Sequence, residues 1–277
     1  MSNHIAMTSY QIVFFKTLIG SIFLLLMFLV TGNKFAFFKH WKDFGFVAIS
    51  GLSMGVCWLF LFEAYVRIGV GLSSLLYYCG PIIVMALSPI LFKERLRPSI
   101  IFGFAVVLAG VVLVNGNVFM EGGSMFGLFC GAMTGVMYVT LVVSNKFVKE
   151  MAGIENSLWT LIFSFVAVAI YMVATGGCSL AIPSGSIIPT LVLGIVNTGL
   201  GCYCYFSSIG KLPVQTVAVC GYLEPLSAVI LSILFIGEVM TGLQGIGVVC
   251  IIGGAVYCEL SKSGNLKLPH RNRRSYN

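Results

Sequence analysis

A carboxylate held in the middle of an apolar run can bind an amine or carry a proton, and Glu224 in "GYLEPLSAVILSILFIGE" (residues 221–238) is placed in that way. Comparable charged residues cost about 2.5–3.5 kcal/mol at the centre of a membrane helix, so such a group faces a partner or a wet cavity. Two readings stay open for it: a proton or substrate-amine site, and a buried structural hydrogen bond. Tyr222 lies two residues earlier, and Tyr78, Tyr77, Trp58, Tyr203 and Tyr205 offer aromatic surface suited to aromatic or amphipathic solutes. Belt anchoring or core packing would account for each of these rings equally well. Asn197, in "GIVNTGLG", is a polar contact for substrate or for another helix.

Other residues read as architecture. Pro81 and Pro225 sit mid-span, where each removes a backbone hydrogen bond and kinks its helix. Glu94 and Glu238 close their spans just before tight joints, as caps or loop anchors. Glu63 precedes Arg67 by one turn, the spacing of an i,i+4 ion pair. Snorkelling to the interface is the simple reading of Lys16, near the outer end of its span. Gly127, Gly131 and Gly135, and the shorter pair Gly51 and Gly55, form small-residue stripes along which helices can approach closely.

The chemistry of an enzyme has no visible seat. All three histidines (His4, His40, His270) lie outside the apolar runs, and the nine cysteines lie mostly inside them as small hydrophobes. Cys202 and Cys204 are too few for a metal site, and no phosphate-cradling loop points to ATP as the direct energy source. The expectation is therefore no enzyme activity, no cofactor and no metal.

The elements that must position these residues are membrane helices. With 58% hydrophobic and only 9% charged residues, and a mean hydropathy of +1.02, the 277-residue chain carries more apolar surface than a water-soluble core can hide. Apolar runs of helix length fall at about 11–31, 44–66, 70–92, 99–117, 124–145, 157–175, 186–209, 213–236 and 241–259, which predicts an all-α integral membrane bundle of nine transmembrane helices. The net charge of +7 is concentrated in short joints and in the tail, which favours anionic lipid headgroups over nucleic acid. Lys34, Lys39 and Lys42, then Lys93, Arg95 and Arg97, then Lys146 and Lys149 recur after every second helix, while "VNGNVFMEGGS" and "TGGCSLAIPSGS" contain neither Lys nor Arg. That alternation predicts a multi-pass protein of the cell membrane with a cytoplasmic C-terminus.

The chain also repeats itself. A shift of 144 residues superposes Gly55 on Gly199, Phe62 on Phe206, Tyr78 on Tyr222, Pro81 on Pro225, Glu94 on Glu238, Gly103 on Gly247 and Gly110 on Gly254 without a gap. Apolar identities could arise from a small alphabet; aligned Gly, Pro and Glu point to duplication. "KERLR" corresponds to "GEVMT", which keeps the Glu and discards every cation, as opposite orientation of the copies requires. The expected domains are residues 1–117 (first repeat, four helices), 118–260 (second repeat, five helices) and 261–277 (basic cytoplasmic tail). The parent architecture is then a five-plus-five inverted repeat from which the first helix is missing.

"YQIVFFKTLIGSIFLLLMFL", "SSLLYYCGPIIVMALSPILFKERL" and "VAVCGYLEPLSAVILSILFIGEVM" resemble the second-, fourth- and ninth-helix segments of the EamA family of the drug/metabolite transporter superfamily. The resemblance runs from Ser9 through essentially the whole chain. It implies ten helices in two inverted repeats, and a secondary transporter moving metabolites such as amino acids, often outward, by alternating access. Glu224, Tyr222, Tyr78, Asn197 and Trp58 are the candidate substrate or proton residues on this reading. The partners expected are a small-molecule metabolite and the lipid bilayer, with no nucleic acid; a homodimer is compatible with it. The competing reading is a non-transporting membrane scaffold or inactive shortened relative.

Overall fold

The first helix begins where Thr8 and Gln11 cap one another. The Gln11 N–H donates to Thr8 Oγ1 at 3.4 Å and the Thr8 N–H donates to Gln11 Oε1 at 2.9 Å, so two N–H groups left over by the helix are satisfied reciprocally. From there α1 (Ser9–Val30) runs 22 residues to Thr31, whose hydroxyl returns to Met27 O at 2.8 Å, and to Gly32 at φ +65. At 1.5 Å per residue it spans about 33 Å, the thickness of a bilayer's hydrocarbon core.

The computed structural model describes residues 7–33, 35–93, 98–115, 124–151, 153–176, 182–221 and 242–263. Every regular element among them is helical: α2 (Trp41–Leu91), α3 (Pro98–Asn115), α4 (Met125–Lys146), α5 (Ile154–Ala174), α6 (Ile187–Val192), a π-helical stretch (Leu193–Leu200), α7 (Gly201–Ile209), α8 (Val214–Gly221) and α9 (Gly242–Ser263). α2 is two spans joined at Gly69, whose φ of 75° and ψ of 163° lie outside the helical range and suit a residue without a Cβ. Six stretches among the described residues are long and apolar enough to cross a membrane: Ser9–Val30, Trp41–Val70, Leu72–Leu91, Met125–Lys146, Ile154–Ala174 and Ile187–Ile209. Pro98–Leu113 and Gly245–Gly254 are shorter apolar helices. Each coincides with an apolar run of the sequence, and the run at 213–236 is described only as far as Gly221.

Two compact units divide the chain. The larger comprises Met1–Leu91 and Asn117–Ala218, the smaller Phe92–Gly116 and Val219–Asn277. In the larger unit α2 packs along α4 and α5, and α1 lies against α5 and the π-helical stretch. In the smaller unit α3 packs against α9.

Glycines set the helix spacings. A Cβ on Gly55 would lie 2.6 Å from Ser164 O and 2.9 Å from Ala167 Cβ, and one on Gly51 would meet Phe163 Cβ at 2.7 Å, so α2 and α5 touch backbone to backbone. The Gly127 and Gly131 stripe of α4 faces Ile68 and Leu76 of α2. Gly194 and Gly199 bring the π-helical stretch onto Ile19 and Phe23 of α1. In the smaller unit a Cβ on Gly110 would lie 2.6 Å from Gly247 O, and one on Gly254 would lie 2.7 Å from Gly103 O.

The polarity is that of a protein dissolved in lipid. Leu26, Leu29, Val30, Ile170, Val173 and Ile188 are exposed, whereas Thr17, Ser50, Ser73, Thr134, Asn145, Asn156, Thr160 and Ser164 are buried. Water would not tolerate so much exposed apolar surface, and hydrocarbon would not tolerate the polar set turned outward.

Candidate functional site

Lys16 is buried inside the larger unit. Its Nζ lies 3.7 Å from the centroid of the Trp58 ring and 5.4 Å from that of Phe62. It does not snorkel to the surface: Val13, Gly20, Leu24 and Phe28, at helical spacing on the same face of α1, are buried with it. A desolvated cation on an aromatic face gains about 2 kcal/mol, comparable to the roughly 2.5–3.5 kcal/mol that a charge costs in a membrane helix, so the ring offsets much of that penalty. The signal that could have placed Lys16 inside is Gly20, one turn on, which marks the face that meets Gly194 and Thr198.

Above Lys16 the bundle opens into a cavity of about 630 Å³, lined among others by Met7, Ser9, Gln11, Glu63, Val66 and Met172. Met172 belongs both to its wall and to a buried cluster with Val13, Leu59 and Val168, against which Tyr10, Trp58 and Phe62 pack. Glu63 makes the expected pair with Arg67 (Oε1 to Nε 2.5 Å), and the Arg67 guanidinium lies 4.7 Å from the Phe126 ring centroid.

A second aromatic group surrounds Tyr78. Tyr78 is buried, 5.6 Å from Tyr77 between ring centroids; Tyr77 meets Tyr138 edge-on at 5.3 Å, and the Tyr138 and Tyr205 hydroxyls are 3.4 Å apart. Gly80 occupies the repeat position of Glu224 (80 + 144 = 224). A Cβ there would come within 2.7 Å of Tyr138 Cδ1, so the Tyr138 ring packs directly against this glycine. Tyr138 had no signal of its own in the sequence.

Of the other candidates, Asn197 is exposed on the π-helical stretch, where Thr198 Oγ1 bonds Leu193 O five residues back at 3.1 Å. π-helical turns frequently mark functional segments. Pro81 is buried within α2, whose non-helical backbone is at Gly69. Glu224, Tyr222, Pro225, Glu94 and Glu238 lie outside the described residues.

Polar residues that the sequence left unnoticed join α2, α4 and α5. Asn145 Nδ2 donates to Asn156 Oδ1 at 3.1 Å and to Ser50 Oγ at 3.2 Å; Asn156 Nδ2 donates back to Asn145 Oδ1 at 2.9 Å; Thr160 Oγ1 donates to Asn156 Oδ1 at 3.2 Å. All four residues are buried, so this network holds helices together rather than contacting solute.

Comparison with known proteins places the chain. A family model described as the EamA-like transporter family matches twice, over residues 3–116 and 125–258. An "Uncharacterized transporter" of Clostridium kluyveri is 27% identical over 95% of this chain and 88% of its own length. The threonine/homoserine exporter RhtA of Salmonella typhimurium is 23% identical over 82% of this chain and 77% of its own. A solved crystal structure, 21% identical, shares the fold with a TM-score of 0.78 over 92% of this chain and 90% of that one.

Proposed function

The chain belongs to the EamA-like transporter family, and from that premise we propose that it is a secondary transporter that exports amino acids or related small metabolites across the cell membrane by alternating access. The two halves, residues 1–117 and 118–260, are inverted copies that exchange conformations around a midplane site.

One observation carries this reading: repeat-equivalent positions make the same contact with partners exchanged. Gly55 packs on Ala167 and Gly199 packs on Phe23, where 55 + 144 = 199 and 23 + 144 = 167. In the smaller unit Gly110 meets Gly247 and Gly254 meets Gly103, again the same pair with the copies exchanged (103 + 144 = 247; 110 + 144 = 254). Reciprocal contacts of this kind are what a two-fold axis generates. Because residue 110 faces the counterpart of 103 rather than of itself, the equivalent helices cross antiparallel, which supports an axis in the membrane plane and therefore inversion.

Trp58 and Tyr78, each in a cluster of rings within the larger unit, are the solute-facing residues on this reading; Asn197, Tyr222 and Glu224 are proposed from the sequence alone, with Glu224 as the proton or amine group. The name of the threonine/homoserine exporter relative favours amino acids as solutes. The test is L-threonine counterflow in proteoliposomes at several pH values. Wild type carries flux that depends on pH, and Glu224→Gln, still monodisperse, loses the pH dependence. Absence of counterflow for threonine and a panel of other amino acids would leave the scaffold reading in its place.

A further inference from the structure

We propose that the joint between α1 and α2 binds an anionic phospholipid: Lys39 and Lys42, with Lys149 beside them, take its phosphate, and Phe38 and Trp41 lie against its upper acyl chains. This goes beyond the transporter reading and does not depend on it.

The joint is at a face of the bilayer, because α1 ends at Val30 and α2 begins at Trp41, each a membrane span. It is held from within. Glu155 Oε1 accepts the N–H groups of Ala36 and Phe37, the Lys39 N–H donates to Ala36 O at 2.9 Å, and the His40 N–H donates to Phe37 O at 3.3 Å. The Phe37 and Phe44 rings, 5.2 Å apart, both meet Trp159 edge-on, at 5.0 and 5.2 Å. Phe38 and Trp41 lie on the outside of this box. Phe38 stacks on Phe37 at 4.0 Å and Trp41 meets Phe44 edge-on at 5.8 Å, yet the two residues remain 67% and 66% exposed. Aromatic rings placed in this way sit at the headgroup level of a bilayer, and they fix the depth at which their neighbours Lys39 and Lys42 meet it.

The charges there are not cancelled by the protein. Lys39, Lys42 and Lys149 are exposed, and among the described residues none of their ammonium groups has an ion-pair partner. Two nearby carboxylates are turned to the backbone: Glu155 holds the joint, and Asp43 Oδ2 accepts the N–H groups of Lys149 and Glu150. The Asp43 bonds also draw Lys149 alongside Lys42, the residue before Asp43. Glu150 is the remaining acid, exposed and set against three lysines. A zwitterionic headgroup brings its own cation to such a site and an anionic one does not, so each lysine favours the anionic lipid by about fivefold.

The test uses the full chain in phosphatidylcholine nanodiscs, with phosphatidylglycerol or further phosphatidylcholine added as the brominated, quenching lipid. The part of the tryptophan emission lost in Trp41→Phe reports on Trp41. Brominated phosphatidylglycerol is expected to quench that part saturably, at a mole fraction about tenfold or more below that needed by brominated phosphatidylcholine. Lys39→Gln with Lys42→Gln brings the two lipids level, and Lys39→Arg with Lys42→Arg keeps them apart. The preference also vanishes in the native chain at 1 M salt, where the screening length falls from about 10 Å to about 3 Å, so the reading stands even if the glutamine variant does not fold. Equal quenching by both lipids, a preference unchanged in a folded glutamine variant, or a preference that survives 1 M salt overturns the proposal. Displacement of the lipid by millimolar glycerol phosphate would overturn it in favour of a site for free phosphate esters. Counterflow is scored separately: a chain that carries no flux can keep the lipid preference, and one that carries flux can lack it.

Discussion

Gly55 abuts Ser164 so closely that a Cβ would lie 2.6 Å from the serine's carbonyl oxygen, and its repeat counterpart Gly199 abuts Phe23, where a Cβ would lie 2.6 Å from the ring carbon Cδ1. The distances are equal, and the obstacles are not. Backbone cannot withdraw without moving α5, whereas a phenyl ring can turn. Gly55→Ala should therefore destabilise by about 1–3 kcal/mol, the usual range for an overpacked interface, and Gly199→Ala by clearly less. Gly45→Ala, with nothing within 4 Å, should be neutral or gain up to about 1 kcal/mol from helix propensity. Thermal unfolding of the three variants in one detergent gives the order; a Gly199 variant as unstable as the Gly55 variant would contradict it.

How much of this could be read beforehand depends on which physical signal each feature leaves. The spans were legible because a bilayer demands runs of about 20 apolar residues and the joints between them are charged. The Glu63–Arg67 pair and the Gly51, Gly55, Gly127 and Gly131 contacts follow from helical spacing alone. Lys16 was not placed correctly because a hydropathy window averages over all faces of a helix, and burial depends on which face a neighbour covers. Asn145 closes one apolar run and Asn156 stands eleven positions on, just before the next, so neither pointed to the other; their partner Ser50 comes from another helix. The π-helical turn at Leu193–Leu200 leaves no periodicity in so short a stretch.

The Asn145–Asn156 pair carries its own expectation. Interhelical hydrogen bonds in membranes average about 0.6 kcal/mol, but leaving a buried amide without its partner costs about 1–3 kcal/mol. The second effect governs here because Asn145 also serves Ser50. Asn145→Ala should lose about 1–2 kcal/mol, and adding Asn156→Ala should cost less than the sum of the two single losses. A double-mutant cycle by equilibrium unfolding measures this, and strict additivity would mean that the pair does not act as a unit.

Glu155 is a loop anchor rather than a charge for solute. Its Oε1 accepts the N–H groups of Ala36 at 2.8 Å and Phe37 at 3.1 Å, and the loop so held encloses Trp159 with Phe35, Phe37 and Phe44. Glu155→Ala should expose both amides, raising their hydrogen-exchange rates by about tenfold or more, while Glu155→Gln keeps one acceptor oxygen in place and stays near wild type. Equal exchange in all three proteins would show that the aromatic box alone fixes the loop.

The two ends of the larger unit differ in charge, and that difference predicts which faces the cytoplasm. Asp43 Oδ2 accepts the N–H groups of Lys149 at 2.9 Å and Glu150 at 2.6 Å, and Lys146 Nζ donates to Ile209 O at 3.0 Å and to Leu212 O. These bonds gather Lys39, Lys42, Lys146, Lys149 and Lys211 at one end. At the other, around the cavity, the cation among the described residues is Arg67, paired with Glu63. Lysines retained on the cytoplasmic side set orientation, so the lysine end should lie inside and the cavity should open outward. Single cysteines at positions 39, 149 and 211, in a chain without its native cysteines, should resist an impermeant maleimide until cells are permeabilised, whereas one at Thr175 should label at once. Labelling of positions 39 and 175 from the same side would abolish this topology, and with it the outward opening of the cavity.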